Sequence, residues 1–268
     1  MNVKIGFIGA GNMGGALADA VCRAGYADSV VLCDKDTEKA RLLAQKLGCH
    51  SDSGEAVAEK CDVIFLGVKP QFLADTVASL MPTLKKRAKA PTFISMAAGV
   101  ALEKLSSMLG SDAPIIRIMP NTPVAVGEGM ILYCASNSAS EEHLNIFTSI
   151  MAKAGRLDKI DEAIIDAASA VSGCGPAFVY MFVEALADGG VKCGLPRDKA
   201  LLYAEQTLLG AAKLALESGA HPGALKDAVC SPAGSTIEGV RKLENGAMRS
   251  SVIEAVNASF ERTKALGK

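Results

Sequence analysis

Residues 9–14 read Gly9-Ala10-Gly11-Asn12-Met13-Gly14, directly after the β-branched, apolar run 3–8 and directly before the helical stretch 16–24. Few folds accept that order. Glycines at this spacing let a chain turn sharply off a strand, pass close to a pyrophosphate and pack the start of a helix against the strand it left. The free N–H groups at that helix N-terminus attract the anion. Asp34 stands 20 residues after Gly14, at the end of a second apolar run, where a carboxylate reaches the ribose hydroxyls of a dinucleotide. The pattern predicts a βαβ unit with Gly9, Gly11, Asn12, Met13, Gly14 and Asp34 at the cofactor. Lys35 and Lys39 suit a 2′-phosphate as well as they suit a solvated helix start, so these residues leave the choice between NAD and NADP open.

The rest of the N-terminal half continues the alternation. Runs 29–33, 63–68, 92–95 and 115–119 read as strands, with 37–47 and 102–109 as helices between them. Several of the runs are apolar on both faces, which predicts a parallel sheet covered by helices on either side. A further strand is expected at 130–134, a helix at 141–154 and a last strand at 155–160. After about Asp161 the strands stop. Pro176 opens a helix to 188 that Gly189 and Gly190 are expected to end; others follow at 197–218, 222–229, and from about 236 and 250. The fold class is therefore α/β: a Rossmann-like dinucleotide-binding domain over 1–160, and an all-α domain over 161–268.

Composition removes other classes of function. With 28 basic against 29 acidic side chains, a net charge of −1 offers no field for a phosphate backbone or an anionic bilayer, so neither nucleic acid nor membrane is an expected partner. The apolar stretch 167–183 is interrupted by Ser172-Gly173-Cys174-Gly175-Pro176 and falls short of the roughly 20 apolar residues of a spanning helix. The eight cysteines never fall two or three apart, and three histidines cannot complete a zinc set, so no metal is expected. Free thiols in apolar runs suit a reducing, cytoplasmic setting.

Two further places can carry chemistry. In an open parallel sheet, ligands bind outside the carboxyl ends of the strands. Val68, Lys69 and Pro70 end one predicted strand, and Asn121 follows another, so these residues are candidates for lining a nicotinamide pocket. In the helical half, Gly234, Ser235 and Thr236 precede a helix, where N–H groups and hydroxyls make an anion site suited to a carboxylate. The competing reading is that Ser235 or Thr236 merely caps that helix.

The stretches Phe7-Ile8-Gly9-Ala10-Gly11-Asn12-Met13-Gly14, Val68-Lys69-Pro70, Ala97-Ala98-Gly99-Val100, Met119-Pro120-Asn121-Thr122-Pro123, Ser172-Gly173-Cys174-Gly175-Pro176-Ala177 and the run 225–237 from Leu225 to Ile237 together resemble pyrroline-5-carboxylate reductase over nearly the whole chain. The resemblance implies reduction of 1-pyrroline-5-carboxylate to L-proline, the last step of proline synthesis, with NADPH as donor and NADH as an alternative. It implies a homodimer at least, built by the C-terminal helices, whose partner chains complete the active sites. It adds Ala97 to the cofactor residues, and places the substrate at Ser231, Gly234, Ser235 and Thr236 with Glu162 nearby. Cys174 and Ala233 depart from the serine and glycine common there. Because a protonated imine already carries the charge that hydride quenches, orientation and a hydrogen bond from Thr236 to the ring nitrogen are expected to do most of the catalytic work. The alternatives are a β-hydroxy-acid-type dehydrogenase, for which the helix from Pro176 offers no lysine before Lys192, and an NADPH sensor without turnover.

Overall fold

The computed structural model describes residues 3–266. The chain divides into two compact units at Cys174/Gly175, and the last turns of the final helix, from Ser259, group with the first.

The first unit is an eight-stranded sheet. Its strands are β1 (Ile5–Ile8), β2 (Val30–Cys33), β3 (His50–Ser51), β4 (Val63–Leu66), β5 (Thr92–Ser95), β6 (Ile115–Met119), β7 (Gly129–Ala135) and β8 (Gly155–Lys159), in the order β3-β2-β1-β4-β5-β6-β7-β8. Strand polarity follows from the connections. The helices α1 (Asn12–Val21), α2 (Thr37–Leu47), α3 (Gly54–Lys60), α4 (Pro70–Leu84) and α5 (Leu102–Leu109) separate the early strands, each long enough to return the chain for parallel pairing. Between β6 and β7 there is only a 3-10 turn, Thr122–Val126, and that pair is antiparallel, a departure from the all-parallel expectation. After α6 (Glu141–Ile150), β8 pairs parallel with β7.

Period-2 alternation sends each strand's side chains to opposite faces. Ile5, Phe7, Val63, Phe65, Ile94, Ile116 and Ile118 build one core layer, in which the Phe7 and Phe65 rings stack with centroids 4.2 Å apart. Ile8, Ile64, Leu66, Phe93 and Ile115 build the other, with residues of α3, α4 and α5. Both faces of the sheet are thus consumed, as the doubly apolar strands required. The helix that follows β8, α7 (Glu162–Ser172), places Ile165 with Met119, Leu132 and Cys134 on β6 and β7.

The second unit is helical: α8 (Gly175–Lys192), α9 (Arg197–Ser218), α10 (Pro222–Val229), α11 (Ser235–Asn245) and most of α12 (Met248–Leu266). Gly189 and Gly190 do not end α8, which runs on to Lys192. A Cβ on Gly190 would stand 3.2 Å from Leu195 and 3.3 Å from Ala200, so that glycine serves close packing with α9. The stop comes at Gly194, with φ of +98°, followed by Pro196. Among the described residues of this unit, only Ala187, Ala200 and Ala204 form a buried cluster, while Tyr180, Met181, Leu209, Leu216 and Ile253 are each at least 60% exposed.

Candidate active site

Four glycines shape the turn from β1 into α1. Gly9 has φ of +104°, and a Cβ there would stand 2.7 Å from the Gly67 carbonyl oxygen. A Cβ on Gly14 would stand 2.1 Å from the Gly9 oxygen, and one on Gly67, 2.8 Å from the same atom. These three are glycine because backbone meets backbone. Gly11 is different: a Cβ there would meet nothing within 4 Å. Protein packing therefore does not ask for glycine at Gly11, and the open space there leaves the backbone accessible to a ligand. Gly11 is also the N-cap of α1 and offers no side-chain acceptor, so the first N–H groups of that helix, from Asn12 and Met13, remain for an anion. A pyrophosphate fits this cradle.

Asp34 follows β2. Its carboxylate accepts the Ala10 N–H at 2.7 Å and the Asp36 N–H at 3.1 Å, tying the glycine turn to the end of β2. A cleft of about 570 Å³ opens beside it, lined by Gly9, Gly11, Asp34, Lys35, Lys39, Gly67, Val68, Lys69, Phe72 and Thr76 among others. Lys35 Nζ lies 5.8 Å from the centre of the half-exposed Phe72 ring. The cleft thus gathers the glycine turn, Asp34, Lys35, Val68 and Lys69. Pro70 is the first residue of α4, capped by Lys69 without a side-chain bond.

Farther along the sheet, Ala97 is buried just beyond β5. Asn121 is buried with both ends of its amide in use: Nδ2 donates to the Ser172 carbonyl at 3.0 Å and Oδ1 accepts the Met130 N–H at 2.8 Å. Its amide secures the end of α7 and the start of β7. Glu162 is held by Arg117 and by the Leu102 N–H.

In the second unit, Gly234 donates its N–H to the Ser231 carbonyl at 3.0 Å, closing a tight turn. A Cβ on Gly234 would approach Ser231 Oγ to 2.3 Å and the Ser231 carbonyl oxygen to 3.0 Å, so a larger residue there would push the Ser231 hydroxyl aside. Ala233 carries φ of +56°, in the left-handed region that glycine occupies without strain. Gly234 is the N-cap of α11, with no side-chain bond, which removes the capping role considered for Ser235 and Thr236. Both are exposed in the first turn of α11, beside N–H groups that have no intrahelical partner.

Three features escaped sequence reasoning. Gly67 and Phe72 line the cleft without belonging to a motif. Arg117 had a legible signal, a charge within the otherwise apolar run Ile115-Ile116-Arg117-Ile118-Met119, which demands a counter-charge.

Comparison with known proteins gives two family models. One, described as pyrroline-5-carboxylate reductase dimerisation, matches residues 162–266; the other, NADP oxidoreductase coenzyme F420-dependent, matches residues 4–99. The chain is 40% identical to pyrroline-5-carboxylate reductase of Pisum sativum, over 98% of this chain and 95% of that protein. It is 39% identical to that of Escherichia coli over 100% of each. Among solved structures, pyrroline carboxylate reductase of Plasmodium falciparum with NADP bound superposes with a TM-score of 0.88 at 34% identity, covering 100% of this chain and 99% of that one.

Proposed function

The chain belongs to the pyrroline-5-carboxylate reductase family, and from that premise we propose that it reduces the C=N bond of 1-pyrroline-5-carboxylate to give L-proline. It is an NAD(P)H-dependent oxidoreductase, and the nicotinamide supplies the hydride when bound. The observation that carries the reading is the pairing of Gly11, glycine without a packing reason, with the uncapped N-terminus of α1.

In this reading residues 1–160 hold the nucleotide and 161–268 hold the substrate and the dimer contact. Gly9, Gly11, Asn12, Met13 and Gly14 seat the pyrophosphate. Asp34 and Lys35 face the adenosine ribose, the carboxylate favouring hydroxyls and the ammonium a 2′-phosphate. Val68, Lys69, Pro70, Ala97 and Asn121 form the nicotinamide end, Asn121 by fixing the wall with its amide. Ser231, Gly234, Ser235 and Thr236 receive the substrate, the N–H groups at the start of α11 taking its carboxylate. The Thr236 hydroxyl donates to the ring nitrogen, a bond that strengthens as the nitrogen gains electrons.

The dimerisation family accounts for the apolar surface of α8, α9 and α12, since a helical unit with three buried alanines needs a partner to bury the rest. The helical stretch Glu162–Lys192 is long and apolar enough to cross a membrane by length and composition alone. The break between Ser172 and Gly175 and the Asn121 anchor on Ser172 favour a partner subunit over lipid; the free cysteines and the net charge of −1 support the reading of a cytoplasmic enzyme without nucleic-acid partners.

Following NADPH oxidation with 1-pyrroline-5-carboxylate, and proline-dependent reduction of NADP at alkaline pH, tests the assignment. Nucleotide binding with no turnover in either direction would mark a sensor instead.

A further inference from the structure

Among the described residues, only Arg117 carries a charge into the buried interior, at 2% exposure on β6. An unpaired guanidinium at that depth is prohibitively costly, so its carboxylate partners are obligatory. Both come from α7, one helical turn apart and therefore on one face. Arg117 Nη1 donates to Glu162 Oε1 at 2.9 Å and Nη2 to Asp166 Oδ1 at 2.6 Å. The two carboxylates then differ. Glu162 Oε1 also accepts the Leu102 N–H at 2.7 Å, whereas Asp166 has no such bond to α5.

Leu102 is the first residue of α5, and its N-cap, Ala101, has no side chain able to accept. Glu162 therefore caps α5 from another element, with a carboxylate charge that suits a helix N-terminus. What α5 anchors in turn is the loop 97–101 leaving β5. The loop's own bonds are long: Ala97 N–H to Ser95 Oγ at 3.4 Å, and Val100 N–H to the Ala97 carbonyl at 3.3 Å. Gly99 sits within it at φ of +73°. Ala97 and Val100 are buried in the same core layer as Leu105 and Leu109, so the loop is packed against α5 and shifts with it.

We propose that Glu162 and Arg117 are positioning residues for the nicotinamide end of the cofactor, acting through the Leu102 N–H on the loop 97–101. The proposal rests on the reductase reading, in which that loop borders the nicotinamide. It gives Glu162 a different task from the substrate contact that the family resemblance implies, because the oxygen it shows engaged is shared by two protein donors.

The test uses the full chain, NADPH, the imine, and 2′,5′-ADP, which reports the adenosine half alone. In Glu162→Ala the rate of hydride transfer at saturating substrates falls roughly 30-fold, as expected for a misplaced reacting group, while 2′,5′-ADP affinity stays within about twofold. Glu162→Gln keeps an acceptor for Leu102 and recovers most of the rate. Asp166→Asn takes the other partner from Arg117 and lowers the melting temperature without slowing transfer. Equal slowing in Glu162→Ala and Asp166→Asn would reduce the network to general stability and overturn the proposal. So would a raised KM for the imine with normal saturated transfer, the mark of a substrate contact. If Glu162→Ala does not fold, Leu102→Pro removes the same N–H at a helix position that tolerates proline, and Leu102→Ala, which loses the same packing but keeps the N–H, is its control; transfer slowed in the proline variant well beyond the alanine one supports the proposal, and equal transfer in the two overturns it. An unsubstituted chain that binds 2′,5′-ADP yet never transfers hydride to the imine would remove the reductase reading, and this proposal with it.

Discussion

Ala233→Gly should make the protein more stable. Ala233 is exposed and holds φ of +56°, so its methyl group contributes no buried packing while its backbone sits in the left-handed region. For an L-residue that conformation costs about 1–2 kcal/mol. Glycine removes this cost but adds freedom to the unfolded chain, worth about 0.4–1 kcal/mol in the other direction. The net expectation is a gain of about 0.5–1 kcal/mol, or a rise of roughly 1–4 °C in Tm for a chain of this size. Ala247 is also exposed, holds φ of +54°, and lies outside the turn at Ser231 and Gly234. Ala247→Gly is therefore a matched control that should gain a similar amount. Thermal unfolding must be run at one protein concentration, because subunit association shifts Tm. Turnover should stay within about twofold in both variants, since the close approach of Gly234 to Ser231 keeps the turn in shape. Unchanged or lowered Tm at both positions would refute the strain argument. A gain in stability with a large loss of turnover at Ala233 alone would show that the strain is held for function.

Thr236→Val keeps side-chain shape and removes a donor to a centre that gains electrons, so kcat/KM should fall by about 30-fold, equivalent to ~2 kcal/mol. Tm should hold because Gly234, not Thr236, is the N-cap, and normal turnover would refute the catalytic role. Gly11→Ala should fold normally, having no protein atom to strike, yet weaken NADPH binding by about tenfold or more; unaltered affinity would show that no ligand approaches there. Gly14→Ala, with a Cβ 2.1 Å from the Gly9 oxygen, should instead lower Tm. Asp34→Asn retains an acceptor for the Ala10 N–H and removes the charge that opposes a 2′-phosphate, so the ratio of NADPH to NADH efficiency should rise. Equal changes for both cofactors would place Asp34 away from the ribose.

What the sequence alone determined about this protein is what neighbouring residues decide among themselves. The glycine turn, the helices Thr37–Leu47, Leu102–Leu109, Arg197–Ser218 and Pro222–Val229, and the strands Thr92–Ser95 and Ile115–Met119 end where caps, glycines, prolines and apolar runs say they should. Strand polarity was only partly legible: apolar runs reveal a buried sheet, but the short link 120–128 is what turns β7 antiparallel. The Gly189-Gly190 pair misled because a glycine that ends a helix and one that lets a neighbouring helix approach look the same in a string. The candidate site divides along the same line. Gly9 and Gly14 announce themselves by spacing, whereas only the structure shows that they meet backbone while Gly11 faces open space. Asp34 stands out by its distance from the glycine turn, but its bond to Ala10 joins residues 24 apart. Arg117 meets Glu162 across 45 residues and Glu162 meets Leu102 across 60, pairings that tertiary structure alone creates because a buried charge accepts whichever counter-charge the packed helices bring to it.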